Sequence, residues 1–375
     1  MRADSLELRS KINSISKENL PQVVADLAKS KLAFGVLKNS ESFDFQISVC
    51  TPENVVYFSD LREIIELNTP LGFVGFPFNN SEQNGFFIPA NLEISKVLTG
   101  ENIEIPKDTS PEFQSTSQDE YENAVEEAIN AFENREFKKL VLSRKLEIPF
   151  TDKSIQKFVA RIIELYPLAH LCFFKIPGQG FWVSATPEIL VEKKENEPII
   201  KTMALAGTMP FEGQELKWQG WTGKEIEEQA LVSRFIKEKL IESGHTEFEE
   251  IGPFTIQAGN LLHLRTDYRV RSIFKNSFLL LAVALHPTSA VCGSPRNESL
   301  VWIASHESFK REFFSGFAGI IGPNFGKLVV LLRAGKLQNG KFTLYSGAGL
   351  TPSSDSKSEW LETGEKMQTL LKALE

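Results

Sequence analysis

The residues in this sequence whose types and spacing most invite chemistry are acids on two helices. In GKEIEEQALVSRFIKEKL, read at 100° per residue, Glu227, Arg234 and Glu238 share a sector of about 40°, an ordinary wet face. Glu225 and Glu228 fall elsewhere, among Leu231, Val232 and Phe235, so two carboxylates leave the helix from a side that ought to be buried. Charge in such a place requires a partner. In SKSEWLETGEKMQTLLKALE, Glu359, Glu362 and Lys366 form one stripe beside Trp360, Met367, Leu370, Leu371 and Leu374. Four carboxylates on two helices suit a hard divalent cation, magnesium above all, because it takes oxygen ligands and keeps waters and a substrate oxygen around it. The same pattern also fits solvated helical charges, with Glu362 and Lys366 as a plain i,i+4 pair.

Other local signals point less sharply. GAGL, residues 347–350, either turns backbone amides toward an anion or simply makes a turn, and TMALAGT, residues 202–208, has the same two readings. Arg333 closes the apolar run LVVLLRAG, and an always-charged group there demands an anion, either a structural carboxylate or a ligand. His170, His245, His263, His286 and His306 lack metal-ligand spacing, and no GxSxG, P-loop or GxGxxG pattern occurs. Serine hydrolase, NTPase and Rossmann dehydrogenase chemistry are disfavoured.

Positioning these groups requires strands and helices in alternation. A helix is predicted from Leu20 to Lys31, then short strands at LAFGVL, DFQISVC and VVYFSD. Residues 105–120, IPKDTSPEFQSTSQDE, read as a loop or internal boundary before a helix from Tyr121 to Glu133. KKLVLSRKLEI, HLCFFKI, GFWVSA, EILVEKK and EPIIKTMAL read as strands whose connections are too short for helical crossovers, so the sheet is expected to be mostly antiparallel. Helices follow at Lys224 to Ser243 and Ser356 to Leu374, and GKLVVLLRAGKLQNGKFTLYSGAGL reads as a hairpin over Asn339 and Gly340. The class is α+β.

With 375 residues, the chain makes one large domain or two ordinary ones. Its 41 basic against 49 acidic side chains give a net charge of −8, which offers no footprint for nucleic acid or an anionic membrane. Cys50, Cys172 and Cys292 are far apart and read as reduced thiols. The N-terminus lacks the apolar core of a signal peptide, and the longest apolar run, Phe278 to Leu285, is too short to span a bilayer. A cytoplasmic protein is expected.

In chain order, KLVLSR (139–144), ATPEIL (185–190), ALAGT (204–208), KEIEEQALV (224–232), HPTSAVCGSPR (286–296), REFFSGFAGIIG (311–322), LLRAG (331–335), LYSGAGL and EWLETGEK resemble the chorismate-utilising enzyme family. That family includes isochorismate and salicylate synthases and the synthase components of anthranilate and aminodeoxychorismate formation. The resemblance covers roughly residues 115–375 and leaves 1–114 weakly matched. It implies one chorismate-binding domain over 1–375 with an anthranilate synthase component I-like fold, two large packed antiparallel sheets with helices outside.

Particular positions imply a chemistry within the family. Lys139 matches the lysine that activates water in isochorismate and salicylate synthases, where ammonia-using relatives carry glutamine. Ala206 stands where aminodeoxychorismate synthases place an attacking lysine, and Ala290 matches isochorismate synthases, where salicylate and anthranilate synthases tend to have threonine. Phe314 departs from relatives with tyrosine there, which weighs against the salicylate reading. The resemblance is therefore to isochorismate synthase first and salicylate synthase second, with chorismate as substrate, no amidotransferase partner and a monomer expected. An amidotransferase-dependent synthase and a non-catalytic chorismate-binding scaffold are the remaining readings. The product of such an enzyme supplies menaquinone or catechol siderophores, and these residues do not separate the two.

By the same resemblance Lys139 is the general base, which must spend part of its time neutral, and Glu188 is the general acid, kept protonated by apolar surroundings. Glu228 and Glu362 would hold magnesium directly, with Glu225 and Glu359 acting through waters or behind them. Arg333, Lys366 and the amides of Gly347, Ala348 and Gly349 would hold the enolpyruvyl carboxylate, and Ala206, Gly207, Thr208 and His263 would line the pocket near the ring.

Overall fold

The computed structural model describes residues 13–38, 45–66, 71–92, 112–217, 220–272 and 276–375, so residues 105–111 of the expected boundary lie outside the described residues. In chain order the elements begin with β1 (Asn13–Ile15), α1 (Leu20–Lys29), β2 (Ala33–Lys38), β3 (Phe45–Cys50), β4 (Val56–Phe58), α2 (Arg62–Glu66), β5 (Gly72–Phe76) and β6 (Gly85–Pro89). Then come α3 (Gln118–Glu133), β7 (Lys139–Pro149), α4 (Ile155–Leu165), β8 (His170–Lys175), β9 (Phe181–Thr186), β10 (Ile189–Lys193), β11 (Ile199–Pro210) and α5 (Gly223–Glu242). The chain continues through β12 (Phe248–Ala258), β13 (Leu261–Arg271), α6 (Ser277–Leu285), β14 (Gly293–Ser294) and α7 (Arg296–His306). It closes with β15 (Phe317–Gly322), β16 (Phe325–Val330), β17 (Ala334–Gln338), β18 (Lys341–Leu350) and α8 (Ser356–Leu371).

The strands form two nine-stranded sheets, β1-β3-β2-β8-β9-β17-β18-β7-β14 and β12-β13-β11-β10-β16-β15-β5-β6-β4. Pairing is antiparallel throughout the sheets, as in Phe34 opposite Lys175 and Phe317 opposite Phe76, so strands from before the 105–120 segment extend both sheets. Aromatic side chains fill the space between the sheets, with Phe73, Phe86, Phe174, Trp182, Phe313 and Tyr345 in one buried cluster. Outside, α1 and α4 cover the first sheet through Leu20, Val24, Phe158 and Ile162, while α5 and α6 cover the second through Val232, Ile236, Leu279 and Ala282. The architecture is the expected α+β one, two large antiparallel sheets with helices outside. Among the described residues no helix is long and apolar enough to cross a membrane.

Local details depart from the sequence expectations. A helix, α4, stands between β7 and β8, because Ile155, Phe158, Val159, Ile162 and Ile163 make one apolar stripe. The run 326–350 is not a single hairpin. Its first part, β16, belongs to the second sheet, and the chain then crosses at residues 331–333 to make the β17–β18 hairpin in the first. Asn339 and Gly340 do form that hairpin's turn, with φ of 53° and 75° as a type I′ turn requires. The helix expected from Tyr121 starts at Gln118, where Ser117 and Glu120 close a capping box.

The sheets approach closely at Gly35, where an added Cβ would stand 2.1 Å from Cγ of Phe73. Phe73 is itself hemmed by Phe86 and Phe174 and has nowhere to move. Gly35→Ala is therefore expected to lower stability by about 1–3 kcal/mol, read as a lower denaturation midpoint with unchanged slope.

Candidate functional site

Where β18 of the first sheet nears β11 and β13 of the second, a cavity of about 80 Å³ opens between them. It is lined by Val141, Glu188, Ala206, Gly207, Thr208, Glu228, His263, Ala290, Phe314, Arg333, Gly347, Gly349 and Lys366. Of the expected substrate-binding residues, Ala348 alone is absent from the lining, its side chain fully buried elsewhere. The volume is several-fold below that of ordinary ligand pockets.

Lys139 opens β7 and is 0% exposed, just behind the lining, with Nζ 2.9 Å from Oε1 of Glu228. The contact is close but poorly directed, and Nζ has no hydrogen-bond acceptor in good geometry. Gly349 on the neighbouring strand makes room for this pair, since a Cβ there would lie 2.3 Å from Oε1 of Glu228 and 3.1 Å from Cε of Lys139. The other Glu228 oxygen accepts from the amide of Gly207 at 3.2 Å. Gly207, with φ of 72°, occupies the bulge where β11 slips register against β13, and this turns its amide to the acid. Burial pushes the Glu228 carboxyl up, but Lys139, Lys366 and Lys224 together hold it below the usual range.

Glu188 sits at the bend between β9 and β10, 2% exposed. Desolvation pushes its carboxyl up to about 8, outweighing the Lys139 charge that pulls the other way. Its proton is thus retained at neutral pH.

Arg333, with φ of 47°, lies at the crossing between sheets, and its Nη1 donates to Oγ1 of Thr369 at 3.2 Å. His263 Nδ1 lies 2.9 Å from the carbonyl of Gly207 and therefore carries the proton, which leaves Nε2 to accept from Arg333 Nη2 at 3.2 Å. Burial, followed by the Arg333 and Lys366 charges, depresses this imidazole to about 3, so it stays neutral and fixes the guanidinium. Lys366 bonds to Oε1 of Glu362 at 2.7 Å and donates to the carbonyl of Gly347 at 2.9 Å.

Three of the four expected metal-binding acids, Glu228, Glu359 and Glu362, are paired with lysines rather than gathered in a cage. Among the described residues, no group of three or more His, Cys, Asp or Glu side chains stands together as a metal site. Glu359 is fully buried, and its Oε1 meets Lys224 Nζ at 2.6 Å while Oε2 has no hydrogen-bond partner in good geometry. Burial and then Glu362 push its carboxyl up, which places the two acids near one another. Glu225 closes the capping box of α5, accepting from the amide of Thr222 at 3.0 Å. Lys224 is a member of this cluster that sequence reasoning missed; its position directly before Glu225 in the matched block was the available signal.

Residues 89–375 match the family described as chorismate binding enzyme. The vibriobactin-specific isochorismate synthase of Vibrio cholerae is 27% identical over 316 residues, 82% of this chain and 80% of the relative. The isochorismate synthase EntC of Escherichia coli is 30% identical over 260 residues, 67% of this chain and 66% of its own length. The structure of MenF, the menaquinone-specific isochorismate synthase of Escherichia coli, superposes with a TM-score of 0.78 at 20% identity, covering 97% of this chain and 95% of that one.

Proposed function

Because the chain belongs to the chorismate binding enzyme family, we propose that it is an isochorismate synthase, which isomerises chorismate by adding water at C2 and releasing the C4 hydroxyl. One observation supports this most: a carboxyl held protonated up to about pH 8 lines the cavity, and a fully buried amine stands behind its wall against Glu228. The reaction needs both, since water must lose a proton to attack and hydroxide must gain one to leave. Lys139 Nζ, once neutral, takes the proton of the incoming water as the C2–O bond forms. The ring double bonds shift, the C4–O bond breaks, and Glu188 gives its proton to the departing oxygen. Arg333, prefixed by His263 and Thr369, and Lys366 offer the cationic end of the cavity to the substrate carboxylates.

Magnesium fits the donor chemistry of the acids: Glu228, Glu359 and Glu362 are oxygen donors, and Glu359 keeps one buried oxygen without a partner. To hold the ion these three would exchange their lysine partners for it and draw together, with Glu225 further out in its capping box. When bound, the ion supplies positive charge to offset the ring carboxylate as the ring becomes electron-rich. Ala290 and Phe314 themselves bring no hydroxyl to the cavity wall, which supports release of isochorismate over elimination of pyruvate.

Incubating the protein with chorismate and magnesium should yield isochorismate without free pyruvate. Salicylate with stoichiometric pyruvate would give the reading to salicylate synthase, and an ammonia-dependent aminated product would reject both. Gly349→Ala should lower kcat/KM by about 10²-fold while the thermal transition stays cooperative, because the new methyl group displaces Glu228 and Lys139 together.

A further inference from the structure

The edge of β7 beside Lys139 is barely a sheet edge. β14, only two residues long, pairs with Lys139 and Leu140, and the amide of Val141 reaches the carbonyl of Cys292 at 2.9 Å. Beyond that, no strand among the described residues continues the ladder, yet Val141 and Ser143 are buried, and their backbone groups still need partners. Two side chains supply them. Arg311 Nη2 donates to the carbonyl of Val141 at 2.6 Å, and Glu307 Oε1 accepts from the amide of Ser143 at 2.7 Å. The two side chains are joined to each other, Nε of Arg311 to Oε2 of Glu307 at 2.8 Å, and both are 2% exposed. Arg311 Nη1 also donates at 2.8 Å to the carbonyl of Val291, beside Ala290 in the cavity wall. The guanidinium rests 4.3 Å over the ring of Phe78.

We propose that Glu307 and Arg311 are positioning residues of the reaction: their ion pair continues the β14 ladder as a surrogate strand and holds Lys139 Nζ in place against Glu228 while fixing the Ala290 wall. The inference rests on the role given to Lys139. It explains why a charge pair lies so deep where an apolar pair would cost less to bury. Neither residue touches the cavity that holds the substrate; a separate cavity of about 300 Å³ on the far side is lined by both.

The test compares wild type, Arg311→Ala and Arg311→Lys for kcat and KM with chorismate, counted per folded molecule from thermal melts. Arg311→Ala should lose about 10²-fold in kcat with KM nearly unchanged, as outer partners of reacting groups do. Millimolar guanidinium, entering through the far cavity, should restore part of that loss. Unchanged kcat per folded molecule, or a loss that only follows the folded fraction and ignores guanidinium, overturns the proposal. If Arg311→Ala does not fold, Arg311→Lys decides: it keeps the charge for Glu307 but cannot reach both carbonyls, so kcat must fall without KM. Because each variant is compared with wild-type turnover, failure of the isochorismate reading shows separately, in the wild-type product.

Discussion

Lys139→Ala should reduce kcat by about 10²–10⁴-fold with a far smaller change in KM, measured by isochorismate formation under saturating chorismate. The effect is large because the amine is a proton acceptor shut off from bulk solvent, where no outside base can replace it: it is 0% exposed and has no hydrogen-bond acceptor in good geometry beyond its close contact with Glu228. The fold should persist. Glu228 keeps the Gly207 amide and the fields of Lys366 and Lys224, so the remaining carboxylate is not stranded without charge compensation. Turnover near the wild-type rate in a folded Lys139→Ala protein would remove the base from the mechanism.

Glu188→Gln should cost a similar factor and, in addition, change the pH behaviour. The wild-type carboxyl, pushed up to about 8 by burial, is the active acid only while protonated, so kcat should decline as pH rises through about 8. Glutamine keeps the shape but has no acid proton to give, and its residual activity should lack that decline. Stability carries the same signature. The folded state binds this proton up to about pH 8, whereas the unfolded chain releases it near the ordinary carboxyl value of 4.5. Its contribution is full below the unfolded value and is lost as pH climbs through the folded one, so wild type should weaken between these limits and Glu188→Gln should weaken less. Parallel urea titrations of both proteins across that range would show it, and identical pH slopes would rule it out.

Much of the fold is legible locally. Alternation gave β2, β3, β8 and β9 nearly to the residue, and Asn339-Gly340 gave the turn between β17 and β18. The sheet crossing at 331–333 was not legible, because LVVLLRAG is continuously apolar and nothing in it marks a change of partner. The stripe of α4 was present in the sequence and was overlooked in favour of a short connection. Periodicity alone flagged Glu225 and Glu228 as misplaced acids and set Glu359 and Glu362 on a stripe beside an apolar face. Lys139 and Glu188 became visible only through the ordered blocks, since their surroundings come from strands far away in sequence. Lys224, Glu307 and Arg311 escaped attention for the same reason: each has its meaning only through a partner on another element.

The interleaving of the two sheets governs how the molecule is made. The last strand in sequence, β18, lies between β17 and β7 inside the first sheet, and the second sheet likewise draws β5 and β15 together from distant parts of the chain. The second sheet cannot close on the ribosome until β16 has emerged, nor the first until β18 has, and loop closure over such separations is slow. A cut chain should therefore yield no autonomous half, and folding must depend on keeping the early hairpins soluble while they wait.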